Sequence, residues 1–435
     1  MRWFAGALLL LAVALVFDFG LLAYAMYALL GVMIASRFLS RAWAENLAAR
    51  RECNRVEAHV GETVAVMIRL ANRGALPVPW VLIEDLLPRD AVASQPPRLE
   101  VVGKRLQLVM LRTRGRKTLL YQVRCKARGY FQIGPLVLET GDLFGLHRRF
   151  RVLTEPHFLL VYPRVVPLEG YELASRRPIG EVRMSHRLYE DPTRIAGVRG
   201  YQFGDPLNRI HWRATARTGT LQSKVYEPSS VAGATLVLDF HHHGYDPSHE
   251  PYRSELAVTA AASLAQAVYE MGQQIGLVTN GRDAADRIRR EGWAPDPRTR
   301  AVAQRSAAMA ATSDRLEPLV VSTRRGPDQL MRILETLARI ELTDGLSLAQ
   351  LTLEAASRLP HDATVVALLS RVNPETAVAL GNLRRRGFAV MAMVNLYHLH
   401  EFEKAAGMLL EEGVEARHLA DEAAVATICR QYVLR

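Results

Sequence analysis

Two short stretches hold most of the side chains that could do chemistry in this chain. Residues 239–243 spell DFHHH, which sets Asp239, His241 and His243 at steps of two. If a strand persists through them they share one face, and a carboxylate with two imidazoles suits Zn²⁺ or another borderline divalent metal. The same residues equally describe a solvent-facing histidine run at a strand end. Residues 199–219, RGYQFGDPLNRIHWRATARTG, gather aromatic rings, a Gly-Asp-Pro turn and spaced arginines, with no nucleophile, ligand set or phosphate loop among them. Asp205 followed by Pro206 predicts a helix start, the carboxylate capping free N–H groups and the proline filling the first helical position. Gly219 can end that helix. Leu207, Ile210 and Ala214 then make a narrow apolar face, and Arg209, Arg213 and Arg217 recur every four residues away from it. An arginine face of this kind either docks an acidic partner or is pinned by carboxylates such as Asp205 and Glu227.

The sequence lacks the common catalytic motifs. It has no Gly-x-x-x-x-Gly-Lys-Ser/Thr loop and no Gly-x-Ser-x-Gly elbow, which argues against Walker-type nucleotide hydrolysis and a hydrolase serine. His249-Glu250 and His400-Glu401 open like a zincin helix, but Arg253 and Lys404 stand where the second histidine belongs. Cys53, Cys125 and Cys429 are three in number and far apart, so they are expected to be structural thiols in a reducing compartment. A net charge of +11 and a pI near 9.8 invite a nucleic-acid partner. The arginines are nevertheless spread along the chain with no nucleic-acid signature, so anionic lipid or an acidic protein is the expected neighbour.

The elements that must position these residues follow from periodicity. A chain of 435 residues, 49% of them hydrophobic, is long enough for two or three domains. Trp3 to Phe17 and Phe19 to Ser36 are apolar and broken only by Asp18, covering about 34 residues. That is too long for one span of about 20 residues, so residues 1–37 are expected to form a transmembrane helical hairpin turning at Asp18-Phe19-Gly20. Arg2 precedes the pair and Arg37, Arg41, Arg50 and Arg51 follow it, a bias that puts both ends and everything after them on the cytoplasmic side of the inner membrane. Residues 52–163 alternate with a period of two, Val64, Val66, Ile68 and Leu70 on one face and Leu119, Tyr121, Val123 and Cys125 on another, which predicts a β-sandwich. Residues 164–233 form a connector, with little periodicity over Pro163 to Ile195. From 234 to 435 buried strands (TLVLDF, QIGLVTN, ATVVALLS, FAVMAMVN) alternate with helices at Tyr252 to Met271, Pro374 to Arg386 and Glu401 to Leu410, the grammar of a doubly wound α/β sheet. An Arg-, Asp- and Ala-rich insertion, about 281–325, interrupts it, with Leu319, Val320 and Val321 as a short strand near its end.

The segment RGYQFGDPLNRIHWRATARTGTLQSKVYEP resembles the signature of the bacterial family known as domain of unknown function 58. The matching positions are Arg199, Tyr201, Gly204, Asp205, Arg209, Ile210, Trp212, Ala216, Arg217 and Leu221, with Lys224 and Glu227 following. RGYFQIGPLVLETGDLFGL at 128–146 and LLVYPRVVPL at 159–168 resemble the stretches that lead into that signature, with Leu143 where a proline is usual. The resemblance implies a membrane-anchored, multidomain chain: a helical hairpin, an all-β sandwich and a von Willebrand factor A-like α/β domain, often associated with a MoxR-type AAA+ ATPase. It implies no settled activity. Such α/β domains commonly hold a divalent cation through Asp-x-Ser-x-Ser, but here His241 and His243 replace the serines, so that metal site is expected to be lost or altered; Asp362 lies before another strand and is a further candidate.

Overall fold

The computed structural model describes residues 2–168, 190–202, 210–228, 233–285, 317–360 and 363–427. The chain divides into two compact units, Met1–Arg164 with Gly281–Arg315 and Leu334–Asp344, and Val165–Asn280 with Leu316–Ile333 and Gly345–Arg435.

The first unit opens on helices α1, Arg2–Val16, and α2, Gly20–Asn46. Asp18, at φ 59, takes the left-handed conformation that turns one into the other, and Gly20 N–H donates to the Asp18 carbonyl at 3.0 Å. Length and composition make α2 long and apolar enough to cross a membrane, while the apolar part of α1, Phe4–Val16, is shorter. The helix does not stop near Ser36, where the apolar run ends. It continues for two to three further turns because Trp43 and Ala44 bury themselves, Trp43 within the sandwich core.

Eleven strands follow: β1 Leu47–Cys53, β2 Glu57–His59, β3 Thr63–Asn72, β4 Val78–Asp85, β5 Leu99–Gly103, β6 Leu106–Leu111, β7 Arg116–Cys125, β8 Gly129–Ile133, β9 Leu136–Gly141, β10 Arg148–Thr154 and β11 His157–Tyr162. A short helix α3, Arg89–Ala93, intervenes. Two antiparallel four-stranded sheets, in the orders β1-β3-β7-β5 and β10-β9-β4-β6, give a sandwich-like body, with β2-β11-β8 as a third, smaller sheet. The alternation drives this: Val64, Val66, Ile68 and Leu70 of β3 and Leu119, Tyr121, Val123 and Cys125 of β7 are all buried in one core.

At the centre of that core lies a charged pair. Arg51 of β1 donates through Nη1 to Asp85 Oδ1 of β4 at 2.7 Å, and Tyr121 of β7 donates its hydroxyl to Asp85 Oδ2 at 2.7 Å. Arg51 also donates through Nη2 to the Glu155 carbonyl. Both charged side chains are wholly buried. Gly134, at φ 93, leaves room for the guanidinium, since a Cβ there would stand 2.0 Å from Arg51 Nη1. Also in this unit, β16 (Arg282–Asp283) pairs with β18 (Ile340–Glu341), and buried Arg128 donates to the carbonyls of Leu337 and Ile340 at 2.9 and 2.8 Å.

The second unit holds β12 (Glu190–Gly200) and β13 (Gln222–Pro228), an antiparallel pair with helix α4 (Trp212–Thr218) between them. The connector therefore carries a strand where no periodicity was expected. Its main sheet runs β17-β15-β14-β19-β20-β21, from β14 Gly233–Leu238, β15 Gln274–Thr279, β17 Leu319–Arg324, β19 Ala363–Leu369, β20 Ala389–Val394 and β21 Glu415–His418. All neighbours are parallel except β17, which pairs antiparallel with β15. Helices α5 Tyr252–Glu270, α6 Pro327–Arg339, α7 Leu348–Ala355, α8 Pro374–Arg385, α9 Leu399–Glu411 and α10 Glu422–Thr427 complete the described elements. The expected strands and the helices α5, α8 and α9 are present within a residue or two of their sequence limits, as is the edge strand at Leu319. Most of the insertion, residues 286–316, lies outside the described residues.

Replacing Arg51 by Met strands the Asp85 carboxylate in the core, which is expected to cost about 3–5 kcal/mol. Urea unfolding of the full chain in detergent checks it, and Arg51→Met with Asp85→Leu should recover much of that loss.

Candidate functional site

Helix α4 is shorter than the sequence suggested. It begins at Trp212, because Ile210 is drawn into a β-bridge with Ser223 of β13 and His211 N–H donates to the Gln222 carbonyl at 2.8 Å. His211 takes the capping role, its Nδ1 accepting from the Ala214 N–H at 3.0 Å. Ile210 and Ala214 consequently do not share a helical face. The other end is as expected: Gly219 closes α4 in the left-handed conformation at φ 71. Gly204, Asp205, Pro206, Leu207 and Arg209 lie outside the described residues, as does the side chain of Glu227.

The hairpin brings the remaining signature positions together. Tyr201 N–H donates to the Leu221 carbonyl at 2.9 Å, Gln222 N–H donates to Thr215 Oγ1 at 3.0 Å, and Arg199 pairs in register with Ser223. Ile210 is buried, Tyr201 and Lys224 are half-buried, and Arg199, Ala216 and Leu221 are exposed. On α4, Arg213 and Arg217 stand one turn apart and exposed, next to Trp212, which is 68% exposed. Among the described residues neither Arg213 nor Arg217 forms an ion pair.

The second candidate sits where the main sheet reverses direction. β15 and β19 flank β14 on opposite sides, so the carboxyl ends of β14 and β19 form a topological switch point, the place where open α/β sheets bind ligands. Asp239 follows β14, Asn280 follows β15 and Ser370 follows β19. Asp239 Oδ1 accepts from Asn280 Nδ2 at 2.9 Å and the His241 N–H at 3.3 Å, and Oδ2 accepts from Ser370 Oγ at 3.5 Å. Asn280 also donates to the Leu346 carbonyl at 2.8 Å and accepts from the Phe240 N–H at 2.6 Å. Burial pushes the Asp239 carboxyl above the ordinary aspartate range, and the donors from Asn280, His241 and Ser370 pull it back in part.

The histidines do not join it as a strand face would require. β14 ends at Leu238, and the chain turns through a 3₁₀ segment, His242–Gly244, whose N-cap is His241. The His242 and His243 rings lie tilted at 37° with centroids 3.9 Å apart, both exposed. Among the described residues no three His, Cys, Asp or Glu side chains are grouped to hold a metal ion. Asp362 lies outside the described residues. Sequence reasoning missed Asn280 and Ser370, although the last polar residue after each buried strand was a signal for them.

Neither zincin-like pair gains a second histidine. Glu250 accepts from Ser254 N–H at 3.0 Å at the start of α5, and His400 lies on α9. Cys125 is buried, and burial pushes its thiol up to about 11; burial likewise raises Cys53. Cys429 lies outside the described residues.

An apolar N-terminal helix, a sandwich-like set of β-sheets and an α/β region on a parallel sheet thus define a multidomain protein that displays a short cationic helix set in a hairpin. Residues 197–295, which include that hairpin's helix and the switch-point aspartate, match the family described as Protein of unknown function DUF58. It is 25% identical over 258 residues to the uncharacterized protein YeaD of Bacillus subtilis (strain 168), an alignment that covers 59% of this chain and 62% of that one. Among solved structures, the CARDB domain of a Pyrococcus furiosus protein, in complex with di-metal ions, is 14% identical and covers 26% of this chain and 91% of its own, at a TM-score of 0.17. A non-cellulosomal cohesin from Archaeoglobus fulgidus is 15% identical with the same coverage and a TM-score of 0.18. Likenesses at this level bear on neither fold nor function.

Asp239→Ala would leave the Asn280 amide, the His241 N–H and Ser370 without their shared acceptor, and is expected to lower stability by about 1–3 kcal/mol in urea unfolding. Cys125 should resist iodoacetamide at pH 8 in the folded chain and react on unfolding, because a thiol near 11 is only about a thousandth ionised there.

Proposed function

We propose that the chain is a membrane-anchored, non-catalytic adaptor that docks an acidic partner, a MoxR-type AAA+ ATPase, on the arginine face of α4. The carrying observation is Arg213 and Arg217 exposed side by side with Trp212, held out by a hairpin and, among the described residues, unpaired. Trp and Arg are the side chains that most often dominate protein interfaces, and two like charges kept together on a short helix are more economically explained by an outside carboxylate than by fold stability. Arg209 completes this face in the reading, although it lies outside the described residues. The catalytic motifs missing from the sequence, the buried Cys125 and the hydrogen-bonded Asp239 support a binding role over an enzymatic one.

In the same reading α2 anchors the chain in the bacterial inner membrane with the two units on the cytoplasmic side, which the basic residues after Ala35 support. The second unit is taken as a von Willebrand factor A-like domain; its strand order and the position of Asp239 at the switch point support that, while His241 and His243 depart from the usual oxygen ligands.

Arg213→Glu with Arg217→Glu is expected to reduce ATPase co-purification from native membranes by roughly tenfold or more, equivalent to about 1.4 kcal/mol or more. Expression and the urea transition should be unchanged; a chain that unfolds instead would show the arginines to be structural.

A further inference from the structure

We propose that the loop between β9 and β10, Leu143-Phe144-Gly145-Leu146, inserts into the lipid interface beside α2 and fixes the β-rich unit against the membrane; this rests on reading α2 as a membrane span. Leu143, Phe144 and Leu146 are 69%, 68% and 50% exposed, three large apolar side chains within four residues. They are not a frayed tip. Buried Asp142 accepts from the backbone N–H groups of Phe144, Leu146 and His147 at 3.0, 3.2 and 2.5 Å, and Gly145 takes the left-handed conformation at φ 71. Burial opposes the charge on Asp142, yet those donors hold its carboxyl below the ordinary aspartate range, so the clamp is anionic and strong. The fold thus orders a short loop in order to display hydrocarbon, which in water alone has no compensation.

Two contacts fix which way the loop points. Ser36 Oγ on α2 is hydrogen-bonded to His147 Nδ1 at 3.0 Å. Further on, Arg151 Nη1 donates to the carbonyls of Ala44, Glu45 and Leu47 at 3.0, 3.0 and 3.3 Å, capping the end of α2. From Ser36 to Ala44 or Glu45 the helix rises about 12–14 Å, and from His147 to Arg151 a strand advances about 14 Å. β10 therefore runs alongside α2 in the same direction, away from the apolar run. The loop before it must project the other way, from the level of Ser36 toward Gly20, beside the stretch of α2 whose Ile34 is 57% exposed.

The surroundings match a headgroup layer. Ser36 is the first polar residue after the apolar run, Arg37 follows it exposed, and Arg148, which pairs with Glu139, and Arg149 follow the loop, so cationic side chains flank the apolar tip as at the level of anionic lipid phosphates. The register row Thr140–Val81–Val109 also brings Met110, 75% exposed, to the same end of the sheet.

The test places the photo-crosslinker p-benzoylphenylalanine at position 144, 34 or 106 of the full chain, reconstituted in vesicles of phosphatidylglycerol and phosphatidylethanolamine. Leu106 is the control because its row, through Glu84 and Val137 to Val152, lies five residues up β10 from His147. Lipid adducts at 144 as abundant as those at 34, with none at 106, are expected. Adducts at 34 without any at 144 overturn the loop insertion and leave the span standing. Equal adducts at 144 and 106 overturn it too, because exposure alone would then explain labelling. No adducts at either 34 or 144 overturn both the span and the inference built on it. The crosslinker is close to Phe in shape at an exposed position, so the urea transition of each variant confirms that the fold is kept.

Discussion

The β-rich unit depends on one buried ion pair. Arg51 and Asp85 come from different sheets, and an unpaired charge of either sign at that depth would be untenable, so the two sheets can close only in the register that brings the two groups together. Tyr121 and the Glu155 carbonyl take further hydrogen-bonding positions on the pair, and Gly134 yields the space the guanidinium needs. Arg51 lies five residues beyond the end of α2. The helix therefore enters the sandwich core with little slack, and its last turns are extended by Trp43 and capped by Arg151 rather than left as a tether. Whatever α2 does in a bilayer is transmitted to the sandwich through a rigid joint.

The second unit is organised around a different buried polar group. Asp239 is set where β14 lies between β15 and β19, and each flanking strand supplies one neutral donor, Asn280 and Ser370. Three strand ends are thereby tied through one carboxylate. Gly244 lies against this group, where a Cβ would approach Ser370 Oγ to 2.0 Å, so the loop carrying the histidines closes over Asp239 and leaves their rings outside. A carboxylate bonded in this way stabilises the crest of the sheet.

Much of this architecture was legible because its driving forces are local and periodic. β3 and β7 announce themselves by alternation, and β14, β15, β19 and β20 by continuous apolar runs, since a strand buried on both faces needs both sets of side chains. The misread elements are those where a distant partner outvotes a local signal. The helix expected to run on through Ile210 begins only at Trp212, because Ser223 and Gln222 claim Ile210 and His211 from across the hairpin. The apolar run to Ser36 marks a span, yet burial of Trp43 on the sandwich decides where α2 ends. DFHHH satisfies a strand alternation, but β14 ends at Leu238 and the chain turns through a 3₁₀ segment at His242–Gly244. The Ser36–His147 bond and the Arg51–Asp85 pair join residues 111 and 34 positions apart, and nothing in either neighbourhood names the other.

The exposed arginines of α4 gain meaning from what the rest of the chain does with its cations. Arg51, Arg128 and Arg253 are buried and bonded to carboxylates or carbonyls, and Arg151 caps α2. Several surface arginines are paired as well: Arg41 with Glu45, Arg385 with Glu412 and Arg148 with Glu139. A protein with 55 lysines and arginines against 44 acidic residues must leave some cations unmatched, but it need not leave two on adjacent turns beside an exposed tryptophan. Like charges one helical turn apart destabilise a helix by a few tenths of a kcal/mol, and a large exposed aromatic gains nothing from water. On a seven-residue helix that depends on a single histidine cap, both are unfavourable choices for stability. A carboxylate-bearing surface would relieve the repulsion and cover the indole in one contact, as the proposed docking role requires.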